Sequence, residues 1–297
     1  MKKSVSVVIP AYNEELSIGE VVRQTGKFLE QAGIDYEIIV VENGSTDSTQ
    51  ARALAALKEV RGRLIRLRQA DKSKALQAGF REASGRFVIM MDADLQHSPS
   101  DIPRFLGMLE RFDVVNGWRR TRRDPLTKKL PSILFNKASN LLFGLGVHDA
   151  NCGFKAFRRE VVGDLKLKTG DHRYLVALLK RKGYSVGEIE VAHFPRRTGQ
   201  SKYGGTRMLW GMMDLLGLAI TQKLSETPFR MFGLLGLLLS GIGCIIGGYV
   251  FANKLLFQEE ITPHLPLVLL GLTLVLGGLQ FLSFGVIMEA LNGLKQE

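Results

Sequence analysis

The stretch Phe87-Val88-Ile89-Met90-Met91-Asp92-Ala93-Asp94-Leu95-Gln96 decides the fold of this chain. Its first half is a short apolar run typical of a buried β-strand, and a polar loop with two carboxylates follows at once. In a mostly parallel sheet, ligands bind beyond the carboxyl ends of the strands. Alternating carboxylates at such a position can hold a hard divalent cation, and the other interpretation is an acidic loop solvated by water. We expect Asp92 and Asp94 to lie at a ligand site.

Two earlier loops share this pattern, because each is polar and follows an apolar run. Val8-Ile9-Pro10-Ala11-Tyr12-Asn13-Glu14 leaves a strand predicted at residues 5–9, and Val41-Glu42-Asn43-Gly44-Ser45-Thr46-Asp47 leaves one predicted at 37–41. Helical patterns separate these strands, and the alternation predicts an α/β domain with a mostly parallel sheet flanked by helices. The remaining strands are predicted at residues 64–67, 87–91 and 114–116.

In this order and spacing, the three motifs resemble the signatures of family 2 glycosyltransferases, which have the GT-A fold. The resemblance implies that the first two loops hold the nucleoside of a UDP- or GDP-sugar. It also implies that Asp92, Asp94 and Gln96 gather around a Mg²⁺ or Mn²⁺ on the donor diphosphate. The residues assigned to donor binding are Pro10, Tyr12, Glu14, Glu42, Asn43, Lys74 and Asp92.

One position departs from the family pattern. The family usually has two aspartates where this chain has Glu42-Asn43. An asparagine side chain both donates and accepts hydrogen bonds, whereas an ionised aspartate only accepts them. The sequence therefore does not decide between UDP and GDP.

Later segments resemble the polyprenyl-phosphate branch of the family, which includes dolichyl-phosphate mannose synthases and bacterial undecaprenyl-phosphate glycosyltransferases. These segments lie at residues 149–159, 170–173 and 195–203, and the similarity covers roughly residues 4–230. The resemblance implies a dolichyl or undecaprenyl phosphate acceptor. The residues assigned to its phosphate are Arg119, Lys128, Ser132, His172, Arg173, Arg197, Ser201 and Lys202, and those assigned to the reaction itself are Asp94, Asp149 and Arg196.

Several of these residues have a second interpretation. The cluster at residues 119–129 holds six basic side chains and one acidic one, and such clusters also attract acidic lipid headgroups. The basic segment at 195–203 has the same alternative, although arginine and lysine both suit phosphate oxygens. His172 is either a phosphate contact or an ordinary buried histidine. Asp149 is either a general base or a group that holds a substrate hydroxyl.

Charged side chains disappear from two long stretches near the end of the chain, residues 231–253 and 261–288. About 20 apolar residues in a helix cross a hydrocarbon core roughly 30 Å thick, so both stretches are long enough to span a membrane. We expect two transmembrane helices, at about residues 231–253 and 264–288. They would form a C-terminal hairpin that occupies residues 231–290, and buried core helices are the alternative.

The charges beside these helices predict the orientation of the rest. Lys223 and Arg230 precede the first helix, whereas the connection carries Lys254 against two glutamates. The positive-inside rule then places a GT-A domain of residues 1–203 in the cytoplasm. Residues 204–230 are predicted as amphipathic helices in the membrane interface. Small residues in the first span suit close helix packing and permit a homo-oligomer.

The net charge of +11, from 40 basic and 29 acidic side chains, bears on the partners. Such an excess is typical of proteins that contact nucleic acid, anionic membranes or phosphorylated substrates. The basic segments lack the interleaved aromatic side chains on which nucleic-acid bases stack. With the apolar helices, this favours a membrane and a phosphorylated substrate, and we expect no nucleic-acid partner.

These observations and the resemblance predict a metal-dependent, inverting transfer of a sugar to a polyprenyl phosphate, making a lipid-linked monosaccharide at the cytoplasmic face. A phosphate monoester has a second pKa of about 6, so this acceptor is largely a dianion that needs little help from a base. Two alternatives stay open. One is a family 2 transferase that acts on a lipid hydroxyl such as diacylglycerol, with Asp149 as the base, and the other is a non-catalytic membrane scaffold.

Overall fold

A computed structural model of the chain describes residues 4–121, 126–195, 213, 216, 217, 227–258, 260 and 262–293. The chain forms two compact units, Met1–Met212 and Met213–Glu297. The first unit contains a sheet with helices on both faces, and the second contains two long apolar helices. The sheet strands are β1 (Ser4–Ala11), β2 (Asp35–Asn43), β3 (Gly62–Leu67), β4 (Phe87–Met90), β5 (Val114–Trp118), β6 (Lys155–Arg158) and β7 (Val186–Glu190).

The seven strands lie in the order β3-β2-β1-β4-β6-β5-β7. Strands β1 to β4 are parallel to their neighbours in this group, and β5 is parallel to β7. Strand β6 is antiparallel to both β4 and β5. The predicted α/β fold with a mostly parallel sheet is therefore confirmed.

Helices cover both faces of the sheet, because successive strand residues point to opposite faces. Val7 and Ile9 pack on the side of α1 and α2, whereas Val8 packs with Phe80 of α3 on the other side. Burial on both faces explains why the strands are continuous apolar runs. The helices of the first unit are α1 (Ile18–Gln31), α2 (Thr49–Leu57), α3 (Lys72–Glu82), α4 (Ile102–Met108), α5 (Leu126–Phe143), α6 (Arg159–Val162) and α7 (Leu175–Arg181).

The register brings the predicted loops to one edge of the sheet. Val8 is paired with Met90, and Ala11 is paired with Glu42, so β1, β2 and β4 end side by side. Strand β6 runs the other way, and its first residue, Lys155, is paired with Met90. The segment that precedes β6 therefore reaches the same edge.

All five strands predicted from the sequence are present, but β6 and β7 were missed. Strand β6 begins with Lys155, a charged residue that is fully buried here. Strand β7 is the last strand of the sheet and contains Glu188 and Glu190, as is typical of an edge. Neither strand has the apolar run by which the others are recognised.

The second unit contains α8 (Pro228–Phe257) and α9 (Leu265–Gly293). Helix α8 includes the predicted span at 231–253, and α9 includes the span predicted at 264–288 apart from its first residue. Both helices are long and apolar enough to cross a membrane, and only 17% and 11% of their apolar windows are buried. This exposure is unlike that of core helices in a soluble protein. Most of the predicted interfacial stretch at 204–230 lies outside the described residues, and the predicted domain limits and homo-oligomer stay predictions.

The two long helices pack closely where glycines face each other. A Cβ on Gly236 would stand 2.6 Å from the carbonyl oxygen of Gly278, and one on Gly243 would stand 2.5 Å from that of Gly271. Small residues at helix contacts let two backbones approach, which is a common means of association in lipid. Gly236 and Gly243 thus serve packing within the hairpin.

We expect Gly278→Leu to destabilise this helix pair, because its side chain would meet Ser240 and the carbonyl oxygen of Gly236, which is 2.5 Å from the Cβ position. Overpacking of this kind costs about 1–3 kcal/mol. Thermal unfolding of the detergent-solubilised protein is the measurement. Gly277→Leu is the matched control, since its Cβ would meet no described atom within 4 Å. Equal destabilisation by both substitutions would contradict the described packing.

Candidate active site

A cleft of about 330 Å³ lies at the edge of the sheet where β1, β2 and β4 end. Its walls come from the loops after these strands, from the start of α3 and from a turn at residues 169–173. These segments are far apart in the sequence and meet only in the fold. The predicted site residues that the cleft brings together are Pro10, Tyr12, Glu14, Asn43, Asp92, Asp94, His172 and Arg173.

Three other predicted residues lie near these segments but do not line the cleft. Glu42 is buried, its Oε1 accepts a hydrogen bond from the backbone N–H of Ser45, and its Oε2 lies 3.6 Å from Nε of Arg66. Lys74 is exposed on α3. The side-chain Nε2 of Gln96 donates to the carbonyl oxygen of Phe194 at 3.3 Å.

The loop after β1 is held against the loop after β2. The backbone N–H of Asn13 donates to Ser45 Oγ at 3.0 Å, and Asn13 Oδ1 accepts from the backbone N–H of Thr46 at 2.9 Å. Asn13 has a positive φ of 50°, a conformation that asparagine adopts more readily than most residues. This turn presents Tyr12, whose side chain is 37% exposed, at the cleft.

Asp92 is fixed from two sides. Its Oδ1 accepts a hydrogen bond from Lys72 Nζ at 2.6 Å, and its Cγ would lie 2.5 Å from a Cβ at Gly153. Burial raises the pKa of Asp92, but the charge and hydrogen bond of Lys72 outweigh it, so the pKa lies below its ordinary value. Asp92 is therefore ionised at neutral pH, and only glycine fits at position 153.

Lys72 is a cleft residue that the sequence analysis missed. Lys74, from the same short stretch, was assigned to donor binding, yet it is exposed to solvent, whereas Lys72 reaches Asp92. Successive helical residues are rotated by about 100°, so positions two apart face nearly opposite sides. The helical phase of α3 would have distinguished them, because Ala75 and Leu76 mark its buried side.

Asp94 is a carboxylate of the cleft, and carboxylate oxygens suit a hard cation. Its Oδ1 accepts the backbone N–H of Gln96 at 3.2 Å, across a tight turn in which Leu95 has a φ of 60°. The described residues contain no cluster of three or more His, Cys, Asp or Glu side chains that could hold a metal ion. Mg²⁺ is usually held by one or two carboxylates together with substrate phosphates, and such a donor set fits here.

Arg119 and Asp149 form a buried ion pair at the same edge. Arg119 Nε donates to Asp149 Oδ2 at 2.6 Å, and Arg119 Nη2 donates to Asp149 Oδ1 at 3.0 Å. Burial lowers the pKa of Arg119, but the hydrogen bonds and charge of Asp149 outweigh it, so the pKa lies above its ordinary value. Arg119 is a permanent cation, and both carboxylate oxygens of Asp149 are engaged by it.

A buried polar network supports this pair, and its residues were not predicted from the sequence. Asn116 Nδ2 donates to the carbonyl oxygen of Asp149 at 2.9 Å, and Glu188 Oε1 accepts the backbone N–H of Asp149 at 3.2 Å. Lys155 Nζ donates to Asn116 Oδ1 at 2.5 Å and to the carbonyl oxygen of Ala150 at 3.0 Å. Burial lowers the pKa of Lys155 to about 8. The sequence did offer a signal for this network, because Lys155 lies inside the short strand β6 and Glu188 inside the short strand β7.

The turn at residues 169–173 is tied to the start of α3. Asp71 caps that helix by accepting the backbone N–H of Ser73 at 2.9 Å, and Thr169 Oγ1 donates to Asp71 at 2.6 Å. His172 donates its backbone N–H to Ser73 Oγ at 3.1 Å, and its Nδ1 lies 3.0 Å from the same oxygen. These contacts place His172 and Arg173 on the cleft.

The remaining predicted residues lie beyond what the structure describes. Arg196, Arg197, Ser201 and Lys202 fall in the gap after residue 195. Lys128 and Ser132 belong to helix α5, but their side chains are not among those described.

Comparison with known proteins decides the family. The sequence model described as "Glycosyl transferase family 2" matches residues 6–166, which is more than half of the chain. The chain belongs to glycosyl transferase family 2. The family predicted from the three motifs is thereby confirmed, and the chain is a glycosyltransferase.

Two curated relatives of this glycosyltransferase match almost its whole length. A dodecaprenyl-phosphate galacturonate synthase from Rhizobium johnstonii is 33% identical over 96% of this chain and 86% of its own. An undecaprenyl-phosphate 4-deoxy-4-formamido-L-arabinose transferase from Pseudomonas fluorescens is 32% identical over 97% of this chain and 84% of its own.

A solved structure supports the fold of this glycosyltransferase. It is the glucosyl-3-phosphoglycerate synthase of Mycobacterium tuberculosis, in complex with Mn²⁺, UDP-glucose and phosphoglyceric acid. The TM-score is 0.56 at 22% sequence identity, and the match covers 74% of this chain and 79% of the other.

We expect Lys72→Met to weaken nucleotide binding by this glycosyltransferase by about tenfold, because a charge-assisted hydrogen bond at the cleft is lost. Without the Lys72 charge the pKa of Asp92 rises, so Asp92 is protonated at a higher pH. As the pH is lowered, nucleotide binding should therefore be lost at a higher pH in the variant than in the unaltered protein. The measurement is the dissociation constant of UDP and GDP with Mn²⁺ from acid to neutral pH. Lys74→Met is the matched control, since this lysine is exposed, and equal losses in both variants would contradict the assignment.

Proposed function

We propose that this glycosyltransferase moves a sugar from a UDP- or GDP-sugar onto the phosphate of a polyprenyl phosphate, with Mg²⁺ or Mn²⁺ as cofactor. The observation that carries the acceptor class is the similarity to two polyprenyl-phosphate transferases over 96% and 97% of this chain. Such coverage includes both long apolar helices as well as the sheet. The sugars named for the two relatives differ, so the similarity leaves the sugar open.

The donor is proposed to lie along the cleft, with its nucleoside at Tyr12 and Asn43 and its diphosphate at Asp94. Lys72 and Arg173 line the same cleft, and their positive charges attract the negative charges of the diphosphate. A bound divalent cation would neutralise the charge that grows on the leaving nucleoside diphosphate. The protein side chains orient the donor so that its anomeric carbon faces the acceptor.

The Arg119–Asp149 pair fits an acceptor that needs no general base. Both oxygens of Asp149 accept hydrogen bonds from Arg119, so both are engaged in this ion pair. Arg119 also lies close enough to Asp92 for its charge to lower the pKa of that carboxyl. We assign Arg119 to the acceptor side, where its charge reduces the repulsion between two phosphorylated substrates.

In the proposed reaction, an oxygen of the acceptor phosphate attacks the anomeric carbon from the face opposite the diphosphate. The bond between that carbon and the diphosphate oxygen breaks, and the configuration at the carbon inverts. The leaving group departs as a nucleoside diphosphate. The residues proposed to complete the acceptor-phosphate site are Lys128, Ser132, His172, Arg173, Arg196, Arg197, Ser201 and Lys202.

The long helices suit this choice of acceptor, because a polyprenyl phosphate is anchored in a bilayer. We propose an integral membrane protein whose first unit works at the cytoplasmic face. The support for this side is the charge distribution: Lys223 and Arg230 precede the uncharged stretch 231–253, whereas Lys254 after it is opposed by two glutamates.

The reaction is tested by transfer of radiolabel from UDP- and GDP-sugars to undecaprenyl and dolichyl phosphate. Purified full-length protein would be assayed with and without Mn²⁺ or Mg²⁺. We expect a metal-dependent lipid product and a loss of at least about a hundredfold in Asp94→Asn, because this change removes the charge of the proposed metal ligand. Label on diacylglycerol instead of either phosphate lipid would replace the proposed acceptor.

The role of Asp149 separates the two acceptor classes. General-base catalysis contributes about 10²–10⁴-fold, so a hydroxyl acceptor would make Asp149→Asn nearly inactive and would remove the acid limb of the pH profile. For a phosphate acceptor, we expect a loss below about a hundredfold and an unchanged acid limb. The measurement is kcat/KM against pH for the unaltered protein and the variant.

A further inference from the structure

The ion pair between Lys72 and Asp92 is part of the cleft wall and is open to a ligand. Lys72 begins α3, Asp92 follows β4, and both residues line the cleft. Lys72 Nζ lies 2.6 Å from Asp92 Oδ1, and each side chain is 26% exposed. Since neither side chain is fully enclosed by the protein, a bound ligand can contact either member of the pair.

The second oxygen of Asp92 faces the protein. Asp92 Oδ2 is the atom closest to the position of a Cβ at Gly153, and a side chain there would overlap it. Oδ2 therefore lies against the backbone of Gly153, whereas Oδ1 is the oxygen that Lys72 contacts. A cation that approaches this carboxylate from the cleft meets the oxygen that the ammonium group already holds.

Asp94 brings the proposed metal site close to the same ammonium group. It lies two residues after Asp92, in the same loop, and both line the cleft. The Cα atoms of residues two apart are separated by at most about 7 Å. A divalent cation held at Asp94 and the positive charge of Lys72 would therefore be near neighbours. Like charges repel strongly in a cleft that is partly shielded from water.

A nucleoside diphosphate changes this balance, because it is an anion that both cations can contact. The ammonium group of lysine has three N–H donors on a flexible stem, so Lys72 can exchange the Asp92 carboxylate for a phosphate oxygen. Mg²⁺ likewise is usually held by carboxylates together with substrate phosphates. With the diphosphate in the cleft, Lys72 and the divalent cation no longer depend on the same carboxylate.

We propose, on the basis of the function proposed above, that Lys72 competes with the divalent cation for the carboxylate of Asp92 and so makes binding of the cation depend on the nucleotide. Without a nucleotide, the ammonium group opposes the cation. With a nucleotide, it binds the diphosphate and leaves Asp92 to the cation. Because such coupling is reciprocal, the cation strengthens nucleotide binding by the same factor. The protein thereby takes up the two together.

The substitution Lys72→Met tests this role, because it removes the charge and keeps much of the apolar stem. The measurement is the dissociation constant of Mn²⁺ for full-length protein in detergent at neutral pH, from the electron paramagnetic resonance signal of free Mn²⁺. It is made without nucleotide and with saturating UDP or GDP, and Mn²⁺ bound by the nucleotide alone is subtracted. The ratio of the two dissociation constants is the coupling factor.

We expect Lys72→Met to bind Mn²⁺ about tenfold more tightly than the unaltered protein when no nucleotide is present, because a nearby positive charge is removed. With nucleotide, the dissociation constant of Mn²⁺ should stay within about threefold, so the coupling factor should fall by roughly tenfold. Nucleotide binding in the presence of Mn²⁺ should weaken, as predicted above. Tighter metal binding and weaker nucleotide binding are opposite changes, which general damage to the fold does not produce.

Three further variants are controls. Lys74→Met removes the same charge from an exposed position on α3, where solvent screens it, and its Mn²⁺ affinity should stay within about threefold of the unaltered protein. Lys72→Arg keeps the charge, so Mn²⁺ binding without nucleotide should stay weak and the coupling should persist. Adding Asp94→Asn to Lys72→Met should abolish the gain in affinity, which would locate the bound Mn²⁺ at this loop.

An unchanged or weaker affinity of Lys72→Met for Mn²⁺ without nucleotide would overturn the role of Lys72 and leave the proposed function intact. An equal gain in Lys74→Met would overturn it as well, because the effect would then come from net charge alone. If the unaltered protein binds neither UDP nor GDP and transfers no sugar, the proposed function itself fails, and the coupling fails with it.

Discussion

The carboxylate of Asp92 lies between Lys72 Nζ, which is 2.6 Å from Oδ1, and the backbone of Gly153. This arrangement requires that three segments distant in sequence reach one point of the sheet edge. The antiparallel strand β6 makes it possible, because its reversed direction carries Gly153 back to the end of β4. A side chain at position 153 would displace Asp92, and without Lys72 the burial of Asp92 would favour its neutral form. The remaining features of the cleft depend on this point, since Asp94 belongs to the same loop.

Two ion pairs, Lys72–Asp92 and Arg119–Asp149, bear on the repulsion between the two proposed substrates. A nucleotide-sugar and a phosphate lipid are both anions, and their approach is costly unless cations lie near. In the proposed reaction Lys72 and Arg119 would supply such charges, and each is paired with an aspartate. Pairing limits the cost of burying a charge and holds both side chains in defined orientations. The network of Asn116, Glu188 and Lys155 then holds the Asp149 backbone, so the Arg119 pair is rigid.

Much of the fold and part of the site could be predicted from the sequence. The five apolar strands were visible as local patterns, and the polar loops after them indicated Tyr12, Asn43, Asp92 and Asp94. Strand β6 was hidden because it begins with a buried lysine, Lys155, whose hydrogen bonds to Asn116 and Ala150 are formed in the folded sheet. Lys72 was passed over for a neighbour of the same charge, because composition does not reveal which side of a helix faces a cleft.

The sequence by itself determined the family, the order of the first strands and the presence of two long apolar helices. These properties follow from local periodicity and from short motifs, which neighbouring residues define. Only the tertiary structure decided that Asp149 is paired with Arg119, that Asp92 is paired with Lys72 and that the oxygen of Asn43 is used by Asp71. These contacts join residues about 20 to 30 positions apart, and their partners are chosen by the packing of the sheet edge, which no local pattern encodes.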